Sequence, residues 1–414
     1  MKHLAIFIVL LMLLNPLFAF DLFFTDEVDS RTFSFQTESG LKLYKDGEIE
    51  PQLEIAVLLE QEKPLYRFVS SITYDAKEER LSTGELSLSL FLGSIQLKGG
   101  LYTHPWGSAT LTHSVDILNA QDLSKGILDD LEAMKRPEAM ISLSLYTGSS
   151  NWEFVVKPGF LPSYLEKDGR YALLPSQFSF VTFHEMDTHS LRNLGGGARY
   201  TIHHRWVDAS LLYFNGYNPQ AGFDAIVFDP QTFAPTSADI VYTRYQLFGL
   251  ETNMVKGPWN LALEGGFFLS EDRDGTDPGR YNSKWSYVAE LSYTDAKTSA
   301  FYAVAYQGQY ILDYQSNSLD VDVLASYDDT CYANTIVMAV ELPMYREKVT
   351  LRLAGTYQVE SKGYAILGSA SYAISDYLSC FVKGIIYGSG GDNASLYKSW
   401  EENDALRIGL KAWF

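Results

Sequence analysis

Cysteine is almost missing from this chain: there are two in 414 residues, Cys331 and Cys380. A disulfide framework needs many more for this length, so cross-links do not build the fold. The two fall on non-adjacent strands of the reading below and are expected as free thiols. Positive charge is also scarce, with 32 Lys and Arg against 51 Asp and Glu and a formal net charge of −19. That balance argues against nucleic acid as a partner, because phosphate binding needs a basic footprint. Beyond residue 19, no apolar run reaches the roughly 20 residues that a membrane-spanning helix requires. What the chain does have is aromatic weight: 28 Tyr, 24 Phe and 7 Trp.

The N-terminus has the features of an export signal. Lys2 and His3 precede the apolar run Leu4 to Leu14, and Leu17-Phe18-Ala19 offers a small-residue cleavage site. Residues 1–19 are expected to be removed, leaving 20–414 as one domain. No cysteine follows the apolar run, so a lipoprotein anchor is not expected. Cleavage takes away Lys2 and no acid, which leaves the mature chain at −20.

Alternation dominates the remainder. "GELSLSLFL" sets Leu86, Leu88 and Leu90 against Glu85, Ser87 and Ser89. "KVTLRLAGTYQ" sets Val349, Leu351 and Leu353 against Thr350 and Arg352. A strand sends successive side chains to opposite faces, so these are period-2 strands of about 9–12 residues. About eighteen such segments can be marked, sixteen being the alternative count. The turns after even-numbered segments are short, and most connections after odd-numbered ones are long: 103–138, 159–189, 215–239, 271–283, 311–330 and 389–403. An even strand count with short turns on one side and long loops on the other predicts an all-β, antiparallel transmembrane barrel, with both ends of the chain on the periplasmic side. In lipid every backbone group must pair, so the sheet has to close. Aromatic residues near strand ends fit the two interfacial girdles. A soluble sandwich or propeller alternates too, but would not keep its long loops on one side, and no blade repeat is visible.

The chain ends "DALRIGLKAWF", with Leu406, Ile408, Leu410 and Ala412 at alternate positions before Phe414. This is similar to the C-terminal signal by which outer-membrane barrels are recognised. The resemblance implies the barrel-assembly machinery and outer-membrane lipid as partners. The apolar parity would face lipid, and Arg407 and Lys411 the lumen.

The opposite parity then gives a near-balanced lumen wall. Its acids include Glu153, Glu264 and Glu290, and its bases include Lys98, Arg199, Arg244, Arg352, Lys383 and Arg407. The acid excess sits in loops. The 103–138 loop is long enough to be functional. Within it, Asp122 could cap a short helix with Ile127, Leu128, Leu131 and Met134 on one stripe, Lys135 and Arg136 at its C-terminal end and Pro137 stopping it. Folded into the mouth, that helix would line a constriction with Asp129, Asp130 and Glu132 and favour cations; the alternative is a helix on the outer rim.

The stretch from "GGLYTHPWGS" through "SVDILNAQDLSKG" to "KPGFLPS" resembles an uncharacterised family of outer-membrane barrels. The matching residues are Gly99, Gly100, Trp106, Gly107, Asp116, Asn119, Asp122, Pro158 and Pro162. Leu101-Tyr102 stand where that family has Arg-Gln. Members are often encoded beside RND-type exporters thought to move lipids, so the resemblance implies a link to such a system.

Catalytic and metal chemistry find little purchase. In "HEMDTH", His184 and His189 are five apart in an expected loop, whereas a helical zinc pair needs four. His113 and Asp116 are close in sequence but no nucleophile partner is evident. No cofactor and no metal are expected, and the chain is not expected to be an enzyme. The functional expectation is a channel for small solutes or lipids; a surface adhesin and an outer-membrane lipase or protease are the alternatives.

Overall fold

The computed structural model describes residues 30–127, 132–164, 169–173, 181–232, 235–315, 321–322, 330–391 and 395–414. The expected signal segment lies outside them. Among the described residues, twenty-one strands follow one another. The first seven are β1 (Ser30–Tyr44), β2 (Ile49–Lys63), β3 (Tyr66–Asp75), β4 (Arg80–Leu92), β5 (Ile95–Tyr102), β6 (Glu138–Thr147) and β7 (Ser150–Lys157). Next come β8 (Thr182–Glu185), β9 (Gly195–His204), β10 (Val207–Tyr217), β11 (Gly222–Phe228), β12 (Pro235–Val241), β13 (Arg244–Lys256) and β14 (Trp259–Ser270). The last are β15 (Lys284–Thr294), β16 (Phe301–Ile311), β17 (Tyr332–Met344), β18 (Val349–Gln358), β19 (Gly363–Ser375), β20 (Leu378–Ser389) and β21 (Ala405–Trp413).

All but β8, β11 and β12 form one 18-stranded antiparallel sheet. β1 pairs with β21, Lys42 opposite Arg407 and Leu41 opposite Ile408, which closes the sheet into a barrel. The eighteen strands are the eighteen expected segments. The largest shift is at β9, which starts at Gly195 where the expected segment began at 190.

The side-chain alternation sorts as the period-2 pattern requires. Leu211, Leu353 and Ile408 point outward and are exposed, whereas Arg352, Lys383 and Arg407 point inward. Trp152, Trp206, Trp259, Tyr302 and Tyr377 form one exposed belt at the short-turn end, and Trp285, Tyr310, Tyr332 and Tyr357 another at the long-loop end. Trp285 and Tyr293 lie eight residues apart on β15, roughly 27 Å along the strand and about 21 Å across a membrane once a tilt near 40° is allowed for.

Two local expectations are overturned. His184 is not in a loop: it sits on β8, which pairs in parallel with β12 in a three-stranded sheet over the long-loop end, His184 opposite Asp239 with Nδ1 3.2 Å from its carboxylate. The helix expected from Asp122 is also absent among the described residues. Asp122 instead accepts from the Ser124 backbone N–H (2.9 Å) in a turn, and only Glu132–Met134 form a single 3₁₀ turn. Of the apolar residues expected on one stripe, Ile127 packs beside Tyr171 and Tyr387, and Met134 is buried. Lys135 pairs with Asp116 and does not serve a helix end. Leu128, Asp129, Asp130 and Leu131 lie outside the described residues.

Candidate functional site

The described residues of the connection from β5 to β6, 103–127 and 132–137, run inside the barrel, and we call them the inner loop. Wall carboxylates hold it by its backbone. Glu264 on β14 accepts from the N–H groups of Ser108 (2.8 Å), Ala109 (2.9 Å) and Ser114 (2.8 Å). Glu290 on β15 accepts from Thr110 (2.9 Å) and Leu111 (2.7 Å). Glu153 on β7 accepts from the Trp106 indole (2.7 Å) and lies 3.0 Å from His104 Nε2. Hydrogen bonds to an ionised acceptor are about twice as strong as neutral ones, so these acids are anchors and not free lumen charge.

Inside the loop, Asn119 accepts from the His104 N–H (2.8 Å) and donates to the carbonyls of Tyr102 (3.1 Å) and Arg136 (2.9 Å). Asp116 accepts from the Trp106 N–H (3.1 Å) and pairs with buried Lys135. Burial works against a charged His113, but its hydrogen bond to Glu264 (3.1 Å) and the Glu264 and Asp116 charges outweigh burial and nearby Lys135. Its imidazole therefore titrates above the ordinary value.

An apolar cluster locks the same contact. Trp106, Val115 and Leu118 of the inner loop are fully buried against Met140, Val155, Leu212, Phe214, Leu247 and Phe268 of the wall. These wall residues point inward, so over β6, β7, β10, β13 and β14 the inward face carries apolar side chains beside its charged ones. Glycines make the room. A Cβ on Gly197 would lie 2.7 Å from Trp106 Cη2, and one on Gly266 would lie 3.4 Å from Val115 Cγ1 and 2.8 Å from Leu247 Cδ1.

One half of the lumen is thereby filled. The other half keeps an opening of about 800 Å³. Its wall side is β1–β4 and β18–β21, and its inner side is formed by Asp122–Ile127 and Ala133 of the inner loop with Tyr164, Arg170 and Tyr171 of the 158–194 connection. Both inner segments are tied across to the wall. Lys125 reaches Asp75 on β3 (2.7 Å), and the Ile127 N–H donates to the Tyr387 hydroxyl on β20 (3.3 Å). Burial disfavours the Lys125 ammonium, yet the Asp75 hydrogen bond and charge, aided by Glu54 and Glu78, raise its pKa. Arg170 stacks 3.9 Å over the Tyr44 ring and pairs with Asp46 (2.6 Å) and Glu48, and the Trp400 indole donates to the Ala172 carbonyl (3.0 Å).

Of the expected lumen residues, Arg352, Lys383 and Arg407 line this opening. The others are engaged elsewhere. Lys98 pairs with Glu85 (2.7 Å), Arg199 with Glu251, and Arg244 donates through Nε to Asn215 (3.0 Å) at the β13 start. Asp129 and Asp130 lie outside the described residues, and Glu132 sits in the 3₁₀ turn without a described side chain. His113 and Asp116 are brought together, but with Glu264 and Lys135 as an anchor. Sequence reading missed Lys42, Tyr44, Arg170, Tyr171 and Tyr387. Lys42 was legible as an inward cation on β1, whereas the loop residues carry no local signal. Phe414 is exposed at the barrel seam and exchanges backbone hydrogen bonds with Phe35 (2.9 and 3.0 Å).

No protein-family model matches the chain, and no curated protein matches it. Among solved structures, it is similar to Pseudomonas aeruginosa OccK5 (OpdH), with 11% identity, TM-score 0.53, and coverage of 93% of this chain and 97% of that one. OccK10 (OpdN) of the same organism gives 10% identity and TM-score 0.52 over 93% and 98%. OccK3 (OpdO) gives 10% and 0.51 over 93% and 96%. At this identity the likeness establishes the architecture, a closed 18-stranded barrel.

Proposed function

We propose that this chain is an outer-membrane channel that passes small hydrophilic solutes through the opening between the inner loop and the β1–β4, β18–β21 wall. The observation that carries this reading is the division of the lumen. One half is sealed by an anchored loop, and the other is left open and lined by charged and phenolic side chains. A conduit for lipid would need an apolar path, and the inward apolar surface of the barrel is already covered by Trp106, Val115 and Leu118. An export signal at 1–19 and a C-terminal strand read by the barrel-assembly machinery would bring the chain to the membrane. There the exposed Leu and Ile face would meet lipid between the two aromatic belts.

The inner loop supplies a clean excision for testing this. Gln121 and Lys135 form an isolated antiparallel bridge at the base of the 122–134 excursion. Replacing 122–134 by a short Gly/Ser turn leaves the Glu264 and Glu290 anchors and the apolar cluster in place. In planar bilayers the single-channel conductance should rise. Unchanged conductance would mean that solutes do not pass this segment.

A further inference from the structure

Arg244, expected on the lumen wall, lies on the opposite face. It has the parity of Phe248 and Leu250, which are 48% and 51% exposed on the outside of the barrel, whereas Tyr245 and Leu247 are buried inside. At the other end of the same strand, Lys256 is opposite Trp259 of the short-turn belt. The 13 residues from Arg244 to Lys256 span about 40 Å along the strand and about 31 Å across the membrane at a tilt near 40°. The apolar band of such a barrel is about 25 Å tall, so Arg244 stands about 6 Å beyond it, among lipid headgroups.

Its guanidinium is held in place but not neutralised. Nε donates to Asn215 (3.0 Å), one Nη reaches the Leu194 carbonyl (3.5 Å), and the group stands 5.5 Å from the centre of the Tyr217 ring. Among the described residues no carboxylate pairs with it, and its other Nη makes no hydrogen bond. The acids nearby are engaged. Glu271 accepts from the Arg244 backbone N–H (3.1 Å) and pairs with Arg280 (3.2 Å). Asp187, whose carbonyl takes the Asn193 amide, accepts from the His189 N–H (3.1 Å). A second cation stands close. Leu194 caps the 3₁₀ turn Leu191–Asn193, which carries Arg192, exposed and without an ion pair among the described residues. Leu191 and Leu194 are 74% and 48% exposed. Two arginines are thus set beside two bare leucines at the level where headgroups give way to acyl chains.

We propose that Arg192 and Arg244 form a site for the phosphate of an outer-leaflet lipid, with Leu191 and Leu194 packed against its acyl chains. A phosphate oxygen satisfies the open Nη of Arg244. The planar fork is already oriented by Asn215 and Tyr217, so little freedom is lost on binding. The leucines add apolar burial that a free phosphate cannot use, and this commits the site to a lipid. An arginine that only snorkels toward water needs no anchor at its Nε. The site is on the outside of the barrel, and it stands or falls independently of conduction through the opening.

The full chain, purified in detergent, is titrated with diphosphoryl lipid A and with its dephosphorylated form, and bound lipid is counted by native mass spectrometry. Wild type should hold the diphosphoryl lipid at lower concentration than the dephosphorylated one. Arg192→Gln/Arg244→Gln should raise the concentration for half-occupancy by the diphosphoryl lipid about tenfold and leave the dephosphorylated lipid unchanged. Lys256→Gln/Lys297→Gln, which removes the same charge at the short-turn end, should change neither. Leu191→Ser/Leu194→Ser should weaken both lipids. Heat-modifiability shows that each variant is folded before it is titrated. Equal retention of the two lipids by wild type, or equal loss in the two charge variants, overturns the proposal. Displacement of the bound lipid by inorganic phosphate alone would assign the arginines to a free oxyanion and refute the lipid site.

Discussion

Glu264 is the residue on which the inner loop depends most. Its two oxygens take three backbone N–H groups and His113, and it is buried in the wall of β14. Glu264→Gln keeps the shape and removes the charge, so each remaining hydrogen bond is weakened and one amide N–H is turned toward loop donors. With about 1.5–3 kcal/mol for a hydrogen bond to a charged group, the loop should open locally, seen as faster proteolysis between Trp106 and Val115 while the barrel stays heat-modifiable. His113 gives that anchor a pH dependence. Its pKa is raised in the folded state, so its contribution is complete below about 6.5 and is lost as pH rises through the raised value. The exchange protection factors at 108–114, taken against the intrinsic rate at each pH, should therefore fall on passing from mildly acidic to alkaline pH, and His113→Asn should flatten that profile. At this scale the sequence was only half legible. An inward acid on an alternating strand can be read from parity, but which distant backbone it holds cannot. Glu264 and Ser108 are 156 positions apart and no local pattern connects them.

At the scale of the strand, parity makes its own prediction. Leu353 is 57% exposed on the outer face of β18, and Arg352 faces the opening. Leu353→Arg should cost about 2–4 kcal/mol if it meets the bilayer midplane, measured by reversible unfolding in lipid, while Arg352→Leu should cost much less. Equal costs would put the assigned faces out by one residue. The strands were legible because one physical constraint, lipid outside and water inside, writes a period-2 signal into every one of them. β8, β11 and β12 were not, because their short strands pack on loops and answer to no membrane. The glycines of β9 belong between these cases. Of Gly195, Gly196 and Gly197, only Gly197 lies against the Trp106 ring, a contact with no local sequence signal. Gly197→Val should expel that ring and loosen the loop, seen as faster proteolysis between Trp106 and Val115, with the strand itself still paired.

For the whole molecule, one asymmetry matters most. The barrel is symmetrical in its hydrogen bonding but not in its filling: the half around β7, β10, β13 and β14 holds a polar and apolar lock, and the half around β1 and β21 holds the opening. An adhesin would need no such opening, and its acidic loops alone would carry its function. Whether solute passes the opening, as proposed, is tested chemically. Ser82 on β4 lines the opening, whereas Ser210 on β10 is buried. In a background with both native cysteines changed to Ser, Ser82→Cys and Ser210→Cys are each treated with a bulky thiol reagent while single-channel current is recorded. The account predicts stepwise block at Ser82→Cys and no change at Ser210→Cys. Full current through a Ser82→Cys channel shown by mass to be labelled would contradict it.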